Sequence, residues 1–342
     1  MTAPVGVALV GYGYWGANLA RNLSVASTTE LVAVVDASEQ QRSLAERQHP
    51  GVATSPDVAS ILAMAEVEAV VIATPAATHA EVALEALRSG RHVMVEKPLA
   101  TTVADAERLV EAAESAGLVA MVGHTFLYSP PVLRLRQLIE AGELGEIQYL
   151  YSQRLSLGRI RRDCNAAWNF APHDISIMCF LLDRRPTEVS ARGFSFIEPG
   201  IDDVCFASIE FEGGVGANLH VSWIDPRKTR LMTVVGDEKM AIYNDVSVDQ
   251  KLWIVDAGVA RNDDLGGFAS MGEFQWRTRA GDILIPKIDM REPLLAEMEE
   301  FGRACRTGSA PRTDAHHGLE VVRVLAAIDE SAEAGGAPVR LP

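Results

Sequence analysis

Cysteine is scarce in this chain. Cys164, Cys179, Cys205 and Cys305 stand alone, with no CxxC pair and no His or Cys cluster at zinc spacing. A disulfide-stapled fold and a resident metal are therefore not expected, and scattered single thiols fit a reducing compartment. Long apolar runs are also missing: none approaches the ~20 residues that span a bilayer. The opening MTAPVGVALVG lacks a basic segment followed by a long apolar one, so a cytoplasmic location without a membrane partner is expected. Positive charge is in deficit. Lys and Arg total 31 against 46 Asp and Glu, a net charge of -15, which argues against nucleic acid or an anionic membrane as the main partner. The deficit leaves room for an anionic small molecule held by a local basic cluster. There is no internal repeat and no low-complexity segment.

What is present points to two domains, because 342 residues exceed one ordinary hydrophobic core. Continuously apolar runs at 5–11, 31–36, 69–74, 92–97 and 118–123 alternate with amphipathic segments. Such runs suit strands covered on both faces, and the alternation predicts an α/β, doubly wound parallel sheet over residues 1–124. Thr78 with Glu81, and Thr102 with Asp105, read as capping boxes. From residue 125 to 342 the pattern changes to short alternating strands such as VGANLHVSW, with a hairpin signal in FEGGVG. This half reads as an α+β domain with an antiparallel or mixed sheet. Helices are expected from near Pro172, over 291–306 and over 316–334, and a long loop over 256–273.

The first strand ends in GYGYWG. Gly11, Gly13 and Gly16 follow a strand, open a helix, and are followed after twenty residues by Asp36 at the end of a second strand. In that context the glycines read as a dinucleotide phosphate loop, with Tyr14 and Trp15 inside it. A carboxylate at position 36 accepts from ribose hydroxyls and repels a 2′-phosphate, and no arginine occurs within DASEQQ. NAD is the expected cofactor.

The fourth run ends in VEKPLA, which sets Glu96 and Lys97 at the carboxyl end of a strand, where doubly wound sheets bind their ligands. Thr74, Pro75 and His79 in TPAATH end the neighbouring strand in the same way. Lys97 there can exchange a proton with a hydroxyl or carbonyl, and its bond to Pro98 is a candidate cis peptide.

The segments GYGYWG, VVD, TPAATH, EKPLA, GHTFLYSP, GELGEI and APHDISI together resemble the glucose–fructose oxidoreductase / inositol dehydrogenase family of NAD(P)-dependent sugar oxidoreductases. The resemblance implies a Rossmann domain plus a domain with a large open, mostly antiparallel sheet, whose exposed face often serves oligomerisation. A homodimer or homotetramer is the implied assembly. It also implies that Lys97 is the acid/base residue. The family usually carries Asp and His four residues apart; the matching positions here are Asn169 and His173, so His173 is retained and Asn169 departs. Asn169 reads equally as a sugar-hydroxyl contact or as a helix N-cap. His124, Tyr128, Arg154 and Trp168 complete the expected substrate surroundings. The basic stretch holding Arg154, Arg159, Arg161 and Arg162 reads as a diphosphate-binding cluster or as a solvated loop.

The expected function is hydride transfer between NAD and a secondary hydroxyl or ketone of a sugar, in particular a nucleotide-linked amino sugar or sugar acid. The alternatives are a ketosugar reductase using the same residues in reverse and a cofactor-binding sensor without turnover.

Overall fold

The computed structural model describes residues 3–158, 160–261 and 276–342. They fall into two compact units, Met1–Ser129 with Met290–Ala326, and Pro130–Asp289 with Ala327–Pro342. In the first unit β1 (Val5–Val10), β2 (Thr29–Val35), β3 (Ala53–Ser55), β4 (Ala69–Ile72), β5 (His92–Glu96) and β6 (Ala120–Gly123) form a parallel sheet in the order β3-β2-β1-β4-β5-β6. Between them run α1 (Tyr14–Val25), α2 (Glu39–Gln48), α3 (Val58–Leu62), α4 (His79–Arg88) and α5 (Val103–Ala116). Every residue of β1 and β4 is buried, which is why these runs admit no polar alternation. The order reverses between β1 and β4, and that is where such sheets bind ligands. Thr102 caps α5 by accepting from Asp105 N at 3.1 Å. Thr78 does not cap. Its hydroxyl donates to the Pro75 carbonyl at 2.8 Å, so α4 follows a short 3-10 turn over Ala76–Thr78.

The second unit contains α6 (Pro130–Glu140), α7 (Ala166–Leu182) and a nine-stranded sheet. Its strands are β7 (Ile147–Leu157), β8 (Pro186–Phe194), β9 (Val204–Phe211), β10 (Val215–Ser222), β11 (Ile224–Gly236), β12 (Met240–Asn244), β13 (Leu252–Arg261), β14 (Trp276–Leu284) and β15 (Val339–Arg340). The order is β14-β13-β12-β11-β7-β10-β9-β8-β15, antiparallel throughout except where β7 lies parallel to β10. Burial alternates along β9 and β10, and α7 packs against β7, β9 and β10.

Three further expectations change. α7 starts at Ala166, ahead of the anticipated start near Pro172, because the Asn165 side chain accepts from Trp168 N at 3.0 Å and takes the N-cap role. Pro172 lies inside the helix, where its ring nitrogen has no hydrogen for the Trp168 carbonyl. Residues 256–261, expected in a loop, continue β13, because pairing with β14 sustains the ladder through Gly258. The remainder of that loop, 262–273, and Arg159 lie outside the described residues. Finally, the chain does not stay in the second unit after 125. α8 (Pro293–Thr307) and the start of α9 (Ala315–Glu333) belong to the first, with α8 packed against α1, β1 and β2 through a stripe that includes Leu294, Met298 and Phe301.

Candidate functional site

The turn from β1 to α1 is built around glycine. Gly11 has φ 98°, and a Cβ there would stand 2.6 Å from the Ala73 carbonyl oxygen. At Gly16 a Cβ would lie 2.0 Å from the Gly11 carbonyl, so the helix closes onto its own turn only without a side chain. Gly13 differs: a Cβ would meet nothing within 4 Å, and the helix it caps has no side-chain cap and no acidic residue in its first turn. An open cradle before an uncapped helix N-terminus fits a pyrophosphate. Asp36, beyond β2, accepts from Tyr12 N at 2.7 Å and Ser38 N at 2.8 Å. These bonds fix the carboxylate and leave acceptor capacity for ribose hydroxyls. Sequence reasoning missed Arg42, the residue directly after DASEQQ. Its guanidinium donates to the Asp36 and Ala37 carbonyls at 2.8 and 3.0 Å.

Glu96 ends β5 and is 8% exposed. Its Oε1 accepts from the Trp15 indole at 2.5 Å and its Oε2 from Lys97 N at 3.1 Å. Gly123, its partner on β6, is needed there: a Cβ would come 3.0 Å from the carboxyl group. Burial raises the Glu96 pKa, against the opposing pulls of the Trp15 bond and of Lys97. Lys97 is half-buried and its bond to Pro98 is cis. His79 is 1% exposed, with Nδ1 2.8 Å from the Pro98 carbonyl oxygen and Nε2 2.9 Å from that of Thr74. It ties the end of β4 to the Lys97 turn, and burial lowers its pKa. Pro75 precedes the 3-10 turn and the Thr74 hydroxyl accepts from Thr78, so this segment braces the strand ends. Tyr14 is 90% exposed at the mouth of the phosphate loop.

Two residues expected at the substrate are interior residues of the first unit. His124 is buried edge-on to His317, ring centroids 5.4 Å apart, and burial lowers its pKa well below the usual imidazole value. Tyr128 is buried and donates to Glu300 at 3.2 Å.

In the second unit Asn169 and His173 lie one turn apart on α7, both half-buried. With Asn165 at the N-cap, Asn169 is a helix residue and not the cap. The Trp168 indole donates to Asp329 at 2.5 Å, which also accepts from Asn165 at 2.9 Å. Arg154 does not belong to an exposed basic cluster. It is 5% exposed and bonded through two nitrogens to Asp174 at 2.6 and 3.2 Å, a buried pair whose carboxylate neutralises the charge in place. Arg161 and Arg162 are paired with Asp163 and Glu198.

Residues 5–124 match the model described as the oxidoreductase family, NAD-binding Rossmann fold, and residues 132–242 match the GFO/IDH/MocA C-terminal domain. The chain belongs to the GFO/IDH/MocA oxidoreductase family. It is an NAD-binding oxidoreductase, as its phosphate loop and Asp36 led one to expect. Among its GFO/IDH/MocA relatives, inositol 2-dehydrogenase 2 of Saccharopolyspora erythraea is 32% identical over 65% of this chain and 67% of its own. The 2,7-anhydro-N-acetylneuraminate hydratase of Mediterraneibacter gnavus is 30% identical, but the match covers 60% of this chain and only 58% of that one. The solved structure of UDP-N-acetylglucosamine 3-dehydrogenase from Acidithiobacillus ferrooxidans superposes with a TM-score of 0.79 at 25% identity, covering 96% of this chain and 97% of that one. Among the described residues no helix is long and apolar enough to cross a membrane, and no cluster of His, Cys, Asp or Glu is placed to hold a metal ion.

Proposed function

We propose that the protein is an NAD-dependent dehydrogenase of a secondary hydroxyl on a sugar, in particular a nucleotide-linked amino sugar or sugar acid. The observation that carries this reading is the bond from Trp15 to Glu96. It fixes the residue before Lys97 against the phosphate loop, so Lys97 serves whatever stands at the reactive end of the cofactor. When bound, the nicotinamide supplies the hydride acceptor. Lys97 takes the hydroxyl proton, and His173 and Asn169 orient the sugar. An amide at 169 donates and accepts hydrogen bonds but takes no proton, so proton transfer falls to Lys97 and His173. The likeness to UDP-N-acetylglucosamine 3-dehydrogenase supports a nucleotide-linked substrate.

The outward face of the second unit's sheet suits a second copy of this chain. Tyr149, Tyr151, Phe206 and His220 border a concavity of about 620 Å³ there. A homodimer or homotetramer formed through that face accounts for so much exposed aromatic surface.

The test is a panel of nucleotide sugars, free sugars and inositols supplied with NAD, and of the corresponding keto sugars supplied with NADH, followed by NADH absorbance. Turnover of nucleotide-linked members above the free sugars is expected. Cofactor binding without absorbance change across the whole panel would sink the dehydrogenase reading in favour of a sensor. Turnover confined to keto sugars with NADH would favour the reductase.

A further inference from the structure

The first unit contains a second carboxyl group close to the Lys97 turn. Glu297 is 0% exposed and sits on the buried stripe of α8 with Leu294, Met298 and Phe301. A charged residue on such a stripe calls for a reason, because burying a carboxylate is costly. Its Oε2 accepts from the Thr125 hydroxyl at 2.7 Å, while its buried Oε1 has no hydrogen-bond partner among the described residues. Thr125 lies two residues beyond Gly123, and Gly123 is both the β6 partner of Glu96 and the place where the Glu96 carboxyl rests. Two buried carboxyls thus converge on the short turn after β6. Burial raises the pKa of both, that of Glu297 well above the ordinary carboxylate value, and for Glu297 the charge of Glu96 adds to the effect.

We propose that Glu297 is a positioning residue for Lys97, acting through Glu96: the charges of the two buried carboxyls are coupled, so that one of them stays protonated while the other is ionised and Lys97 meets a single negative charge. The proposal rests on the reading of Lys97 as the proton-transfer residue. The other ionisable groups facing this pair are few. Lys97 follows Glu96, Glu300 lies one turn along α8, and Tyr128 bonds to Glu300 from the turn after β6. His124 and His317 are both kept neutral by burial, His317 with its pKa down to about 4. Burial holds protons on the carboxyl pair to higher pH than on an ordinary carboxylate. When the pair gives up its proton, a second negative charge holds the Lys97 proton more tightly.

Trp15 supplies a reporter, since its indole donates to Glu96 and its emission follows the charge there. The probe is the pH titration of emission of the NAD-bound protein, wild type minus Trp15→Phe. Glu297→Gln keeps an oxygen for Thr125 but cannot ionise. In that variant the emission step moves to lower pH by at least about one unit, the scale of a removed neighbouring charge. The limb of the kcat/KM profile that belongs to Lys97 moves down by about one unit for the same reason. An emission step left in place by Glu297→Gln overturns the proposal whatever turnover does. Emission needs no substrate, so the failure of the dehydrogenase reading would show in the sugar panel and leave this titration standing. Should Glu297→Gln not fold, the infrared carbonyl band of a protonated carboxyl in the wild-type protein at neutral pH decides, and its absence overturns the coupling of the two carboxyls.

Discussion

The two sheets of this protein solve burial differently. In the first unit β1 and β4 are buried along their whole length, with helices on either side of a parallel ladder. In the second unit β9 alternates, with Cys205, Ala207, Ile209 and Phe211 inward and Phe206, Ser208 and Glu210 outward. One sheet is covered on both faces, and the other leaves the aromatic side chains of Tyr149, Tyr151 and Phe206 exposed. The contrast extends to chemistry. The covered sheet ends in Glu96 and Lys97, held by main-chain and indole bonds, whereas Asn169 and His173 lie on the helix that covers the inner face of the open sheet.

Truncation on β9 tests the two faces most severely. Phe211→Ala, at 2% exposure, is expected to cost about 3–5 kcal/mol in chemical denaturation, as for a buried aromatic. Phe206→Ala, at 43% exposure, is expected to change monomer stability by no more than about 0.5 kcal/mol, while lowering the sedimenting mass. Similar denaturation midpoints for the two variants would erase the distinction between the faces.

Next comes the division of chemistry. Lys97→Ala is expected to lower kcat by at least ~10²-fold, the usual scale of general acid–base help, with NAD affinity nearly intact by fluorescence titration. A variant with near-normal kcat would return proton transfer to the second unit. The smallest effect is expected at Asn169. A carboxylate introduced by Asn169→Asp lies one helical turn from His173 and favours its charged form, so the pH at which His173 loses its proton rises. The kcat/KM profile should therefore shift upward by up to about one pH unit. With Asn165 filling the cap, an unchanged profile cannot be ascribed to capping and would remove Asn169 from the site.

Much of the first unit was legible because its signals are local. The strand ends, the three glycines, Asp36 and EKP each depend on residues close in the chain, and the structure places them where their spacing indicated. Other features depend on distant partners. Asn165 competes with Asn169 as a cap, and only the observed bond to Trp168 N decides between them. Arg154 looked like part of a basic cluster until Asp174 was found beside it. Glu297 carries no sequence signal, since one glutamate among several on an amphipathic helix reads as solvent-facing until α8 is seen to return to the first unit.

The sequence alone determined the class of fold, the phosphate loop and the lysine that follows β5. Hydrophobic period and glycine sterics act over a few residues and permit little else. Only the tertiary structure decided which charges are buried and what meets them. The pairing of Arg154 with Asp174 and the approach of Glu297 to the turn beside Glu96 join residues far apart in the chain. The desolvation that sets their protonation exists only once the helices have closed over them.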